Sequence, residues 1–119
     1  MLVDTSVWIN HLRYRDPLLV SRLRDSVVWT HPFVIGEIAC GNLRKRAHVL
    51  GLLAALPATP LAGQDDVLAL VESRRLMGRG LGWIDMHLLA AAKLASLPLW
   101  TSDRRLAAVA RELDLSDSR

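Results

Sequence analysis

Met1-Leu-Val-Asp-Thr-Ser-Val-Trp-Ile-Asn10 decides how the rest of the chain is read. Met1, Leu2 and Val3 make a short apolar run, Asp4 ends it, and Thr5 and Ser6 lead into a helical pattern. Such a stretch reads as a buried strand closing on a carboxylate, with a helix directly behind it. In open α/β sheets ligands bind beyond the carboxyl ends of the strands. Asp4 therefore stands where such folds do their chemistry, although an Asp in front of a helix is also an ordinary N-cap.

Outward from this stretch, helices and short strands alternate. Ser6 to Arg13 is a helix that turns Val7, Trp8 and Leu12 to the core. Asp16-Pro17 caps and opens a second helix, striped by Leu19, Val20 and Leu23. Val27-Val-Trp-Thr30 is a second strand, rich in β-branched and aromatic residues. Helices follow over Phe33 to Cys40, with Ile35, Ile38 and Ala39 inward, and over Leu43 to Leu56, with Leu50, Leu53 and Ala54 inward. Gly41 stops the first of them and Pro57 the second. Thr59-Pro-Leu61 is a weak strand whose proline suits a sheet edge. A helix from Gln64 to Met77 opens on Asp65 and Asp66 and turns Val67, Leu68, Leu70 and Val71 to one side.

Gly78-Arg-Gly-Leu-Gly82 is a loop that lets the chain turn into the strongest helix, Trp83 to Ala95. It is no nucleotide fingerprint, because it follows a helix and lacks the spacing. Pro98-Leu-Trp-Thr101 is a strand, Ser102-Asp103 caps a helix from Arg104 to Leu113, and Leu113-Asp-Leu115 adds a last short strand. The alternation predicts an α/β fold with a short parallel sheet covered on both faces.

The 119 residues form one domain, 51% hydrophobic and 23% charged, as in an ordinary globular protein. No apolar run approaches the roughly 20 residues of a membrane span, and the start lacks the flanks of a secretory signal. The single cysteine, Cys40, fits a reducing compartment, so the chain is expected in the cytoplasm. The formal net charge is +3, and all cations except Lys45 and Lys93 are arginines. That balance suits an anionic partner such as nucleic acid, or reflects a coding bias towards arginine.

Four acids keep unusual company. Asp4 ends the first strand; Glu37 lies among aliphatics in Val34-Ile-Gly-Glu-Ile-Ala39; Asp85 sits in the first turn of the most apolar helix; Asp103 marks a strand exit. Taken singly, each is a cap, a dipole partner or a solvated side chain. Together they point to one edge of a parallel sheet, where four carboxylates would repel unless a cation lay among them. Hard oxygen donors suit Mg²⁺ or Mn²⁺, and no Cys–His spacing favours zinc.

Val3-Asp-Thr-Ser6, Ile35-Gly-Glu-Ile38, Trp83-Ile-Asp85 ahead of an Ala/Leu helix and Trp100-Thr-Ser-Asp103 occur here in order. In these motifs the chain resembles PIN-domain ribonucleases over essentially its whole length, most closely the VapC toxins of bacterial toxin–antitoxin pairs. The resemblance implies a PIN-like three-layer α/β/α sandwich and a Mg²⁺- or Mn²⁺-dependent endoribonuclease that leaves 5′-phosphate ends. It implies Asp4 and Asp103 as direct metal ligands, with Glu37 and Asp85 completing the cluster. Thr5, Ser6 and Thr101 match hydroxyl positions that orient the acids, and Ser6 reads equally well as a helix cap. It further implies a tRNA, rRNA or mRNA substrate, a VapB-like antitoxin that occludes the site, and a homodimer. The chain departs from the family in its minimal lead-in to the first strand and its short tail, so the fifth strand is expected to be rudimentary.

Arg79, Arg104 and Arg105 are the arginines best placed by sequence to hold RNA, or they are simply solvated surface. Leu43, Leu52 and Leu56 fit no single helical stripe and are candidates to face the antitoxin. The four histidines are read as structural rather than as a metal-free imidazole pair. Trp83, alone of four tryptophans, borders the candidate site, and packing is the plainer reading for it than base stacking. The rival from another class is a PIN-like module that binds RNA or protein without cutting; all four acids being present speaks against it.

Overall fold

In the computed structural model, which describes residues 1–116, two very short strands set the frame. Leu2–Val3 (β1) pairs in parallel with Leu99–Trp100 (β2), Leu2 opposite Leu99 and Val3 opposite Trp100. Neighbouring side chains on a strand point to opposite faces of the sheet. Leu2 and Val3 are both 0% exposed, so both faces are covered.

The other pairings are single parallel bridges, Leu2 to Trp29, Thr30 to Ala58 and Leu99 to Ser116: the expected Val27–Thr30 strand pairs through its last two residues, while the other two bridges fall one residue outside the expected Thr59–Leu61 and Leu113–Leu115. Across the sheet the order is therefore Ala58, Trp29–Thr30, β1, β2, Ser116. The chain goes one way from β1 to reach Trp29 and the other way to reach β2. β1 and β2 thus flank the point where strand order reverses, and a crevice opens beyond their carboxyl ends. Asp4 and Thr101–Asp103 stand at that crevice.

Among the described residues, seven helices surround the sheet: α1 (Thr5–Tyr14), α2 (Pro17–Arg24), α3 (Pro32–Ala39), α4 (Arg46–Ala55), α5 (Gln64–Arg74), α6 (Trp83–Ala95) and α7 (Arg104–Glu112). Side chains start four of them. Asp4, Asp16, His31 and Asp103 each accept backbone N–H bonds as N-caps, and Pro17 and Pro32 follow two of these caps. A cap of this kind stabilises by about 1 kcal/mol. α6 carries the centre of the core, with every residue from Met86 to Ala92 buried.

Several expected core positions are corrected. Leu12 is 40% and Leu68 46% exposed, and Ala54 is also exposed. On α3 the core residues are Val34 and Ile38, while Ile35 and Ala39 are only half-buried. Each correction turns the helix by one position, which periodicity over eight to ten residues does not resolve. α4 begins at Arg46 rather than Leu43, because the Arg46 guanidinium donates to the carbonyls of Ala39 and Gly41 and ties off the end of α3. Lys45, in the left-handed region at φ 52°, makes the turn. Among the described residues, no helix is long and apolar enough to cross a membrane.

Candidate active site

Where β1 and β2 end, a knot of hydroxyls holds Asp4. Its Oδ1 accepts the Thr5 N–H at 2.8 Å. Its Oδ2 accepts the Ser6 hydroxyl at 2.8 Å and the Thr101 hydroxyl at 2.7 Å. Both hydroxyls then accept backbone donors from the exit of β2: Ser6 Oγ takes the Ser102 N–H and Thr101 Oγ1 takes the Asp103 N–H, each at 3.0 Å. Ser6 therefore serves Asp4 and the β2 exit rather than capping α1. Two hydroxyls lock the two strand ends together, and Asp4, 6% exposed, is fixed through both oxygens.

Asp103 is fixed differently. Its Oδ1 accepts the Arg105 and Leu106 N–H groups at 2.8 and 3.2 Å, which caps α7. Oδ2 has no hydrogen-bond partner among the described residues, and the residue is exposed. Asp85 reaches back through Oδ2 to the Gly82 N–H at 3.0 Å and so stands at the head of α6. Three helix N-termini thus deliver three carboxylates to one crevice. Burial pushes the Asp85 carboxyl above its ordinary range, and the charges of Asp4 and Asp103 push it further, against the Gly82 bond.

Glu37 comes from the other side. It lies on the exposed face of α3, and its Oε1 accepts the Thr5 hydroxyl at 2.8 Å. Thr5 therefore touches two acids, Asp4 through its N–H and Glu37 through its side chain.

Among the described residues, no arginine, lysine or histidine forms an ion pair with these four acids. The donors are all hard oxygens, and Asp103, Asp85 and Glu37 each keep one oxygen free. This chemistry fits an oxygen-seeking divalent cation. No three of the acids are gathered to ligating distance among the described residues.

The arginines split. Arg79 binds Glu112 on α7 through both nitrogens, at 2.5 and 2.7 Å, bracing the glycine loop against the last helix. Arg105 lies across Gly80, whose φ of +82° and missing Cβ make room: a Cβ there would stand 2.8 Å from the Arg105 Cδ. Arg104 is exposed with no partner among the described residues. The pairing of Arg79 with a residue 33 positions away left no local signal in the sequence.

Two histidines are structural. His31 is 0% exposed; its Nδ1 accepts the Phe33 N–H at 2.9 Å, and burial, helped by the nearby His87, brings its pKa down to about 4. His87 is also buried, and burial lowers it too. Neither is open to a substrate, which removes these two from any paired-imidazole ribonuclease mechanism.

Beside Glu37 a groove of about 370 Å³ runs between α1, α3 and α4, lined by Ile9, Leu12, Leu43 and Val49 with Arg13 and Arg44. A second hollow, about 270 Å³ and almost wholly apolar, shares Leu12 and Val49 and adds Leu52, Leu53 and Leu56. The three leucines singled out in the sequence, Leu43, Leu52 and Leu56, line this one continuous surface.

The PIN-domain family model matches residues 1–112. The chain is also 50% identical over 113 residues to "Ribonuclease VapC32" of Mycobacterium tuberculosis, in the strains CDC 1551 / Oshkosh and ATCC 25618 / H37Rv alike. The match spans 94% of this chain and 91% of each relative.

Proposed function

The chain belongs to the PIN-domain family, and on that premise we propose that it is a metal-dependent endoribonuclease, the toxin of a type II toxin–antitoxin pair acting in the cytoplasm. The observation that supports this reading is that Asp4, Asp85 and Asp103 stand at the N-termini of three helices, Asp4 and Asp103 where the strand order reverses, with no cation paired to them among the described residues. Asp4 and Asp103 are the direct ligands we assign, with Asp85 and Glu37 completing the set and Thr5, Ser6 and Thr101 orienting them. The donor type selects Mg²⁺ or Mn²⁺, which when bound polarises a phosphoryl oxygen and acidifies water.

The chain's own residues do the rest. The Ser6 and Thr101 hydroxyls hold the Asp4 carboxylate in one orientation. Asp85 or Glu37, each with an oxygen free, takes the proton of the water that attacks in line. The ribose 3′ oxygen leaves and takes up a proton from solvent water, giving a 5′ phosphate and a 3′ hydroxyl. Arg104 and Arg105, next to Asp103, hold flanking phosphates; Arg79, engaged with Glu112, braces the loop instead.

We assign the antitoxin to the continuous groove between α1, α3 and α4. Its apolar floor suits an amphipathic segment, its Arg13–Arg44 rim suits acidic flanks, and Glu37 at its end means that an occupant covers the site. Leu52→Asp is expected to abolish capture by the antitoxin while leaving RNA cleavage intact; unchanged capture would place the antitoxin elsewhere.

The test of the activity is cleavage of total RNA with Mn²⁺, followed by mapping of new 5′ ends. Discrete 5′-phosphate ends that vanish with EDTA and return with excess Mg²⁺ or Mn²⁺ are expected. Cleavage that survives EDTA would contradict the metal mechanism, and the absence of any cleavage would favour a binding module.

A further inference from the structure

Trp83 differs from the other three tryptophans. Trp8 is buried, and Trp29 and Trp100 are half-buried beside the sheet, but Trp83 is 42% exposed. It is the first residue of α6, two before Asp85, which is about 3 Å of helix rise. An exposed indole at the lip of a carboxylate cluster is not explained by packing alone.

Its setting is rigid. The Trp83 ring meets His87, one turn along α6, edge to face at 4.8 Å and 90°. His87 in turn meets Phe33 of α3 at 4.8 Å, and Phe33 meets His31 at 5.2 Å. His87 and His31 are buried, so the column is anchored in the core and ends in the open at Trp83. A perpendicular neighbour occupies no more than one face of the indole. Phe33 and Glu37 are one turn apart on α3, and Trp83 and Asp85 share the first turn of α6. The column therefore joins the two helices that carry Glu37 and Asp85, and Trp83 crowns the join.

We propose that Trp83 is a base-stacking platform, on which the base of a nucleotide adjoining the scissile phosphate lies. This inference rests on the ribonuclease reading and adds a residue that selects RNA in which that base is unpaired. Every base has a π-face, so the platform asks for a single-stranded loop or bulge rather than for one base identity. The column beneath holds the indole in place before RNA arrives, so little side-chain freedom is lost on binding.

The test uses a short RNA spanning a cleavage site mapped with the wild-type protein, and a matching RNA made abasic one nucleotide at a time beside the scissile bond. Trp83→Ala is expected to raise KM about tenfold, with kcat changed much less, and Trp83→Phe to recover most of the loss. At one position the abasic RNA is expected to be bound equally by wild type and Trp83→Ala. Equal KM for Trp83→Ala and wild type on intact RNA would overturn the proposal. So would a loss of the same size on every abasic RNA, which is the mark of a merely structural role. Wild-type protein that cleaves no RNA would instead defeat the ribonuclease reading itself.

Discussion

Asp4 and Glu37 lie on either side of Thr5's reach and are held in opposite ways. Asp4 is buried where two strands end, and three hydrogen bonds fix both its oxygens. Glu37 rides the exposed face of a short helix and is held by one hydroxyl. The first is built into the fold: what caps α1 and ties β1 to β2 is also what aims the acid. The second can turn without disturbing anything beneath it. It also borders the groove where we seat the antitoxin. The difference separates a preorganised centre from an adjustable wall, which is the arrangement a partner-controlled enzyme needs.

That contrast breaks first at Asp4. Asp4→Asn keeps the N-cap, since Asn caps as well as Asp, yet removes the charge. RNA cleavage is expected to fall about a thousandfold, the upper range for loss of one preorganised electrostatic group, with helix content unchanged by circular dichroism. Thr101→Val and Thr5→Val sharpen the comparison. The first unties Asp4 from the β2 exit and is expected to cost about 10- to 100-fold in cleavage. The second frees Glu37 alone and is expected to cost only a few-fold. Equal losses would mean that Glu37 is as tightly required in place as Asp4.

Much of this centre was legible in the sequence because strand, acid and helix follow one another locally. Asp4 after Leu2–Val3 and Asp103 after Leu99–Trp100 are short apolar runs closed by a cap, and Trp83 opens its helix where the glycine loop implies. The contacts that bind these pieces were not legible. Thr5 to Glu37 spans 32 positions and Thr101 to Asp4 spans 97, and no local pattern encodes either. Periodicity does not settle the inward faces of α1 and α5 at Leu12 and Leu68, where a leucine sits exposed beside the buried stripe. The sheet was over-read as well. Runs of three or four β-formers pair through one or two residues, because tertiary placement and not propensity sets strand length.

The smallest expected effect concerns Asp85. Its carboxyl is pushed up in the folded, metal-free protein. A group with a raised folded pKa lends stability below its unfolded value, and that contribution is lost as pH rises through the folded value. Ionised Asp85 therefore weakens the empty protein at neutral pH. In EDTA, Asp85→Asn is expected to raise the Tm at pH 7 by about 2 °C, with the gain vanishing towards pH 3. A variant less stable than wild type at pH 7 would show that ionised Asp85 does not weaken the fold.

Asp4, Asp85 and Asp103 are assigned to hold one divalent cation together, and calorimetric titration of EDTA-stripped protein with Mn²⁺ reads that binding. Saturable binding that Mg²⁺ competes away is expected, weakened at least about tenfold in Asp103→Asn as for loss of a group in a metal's ligand set. Wild-type protein with no saturable binding, or an Asp103→Asn protein that binds Mn²⁺ as tightly as wild type, would contradict it.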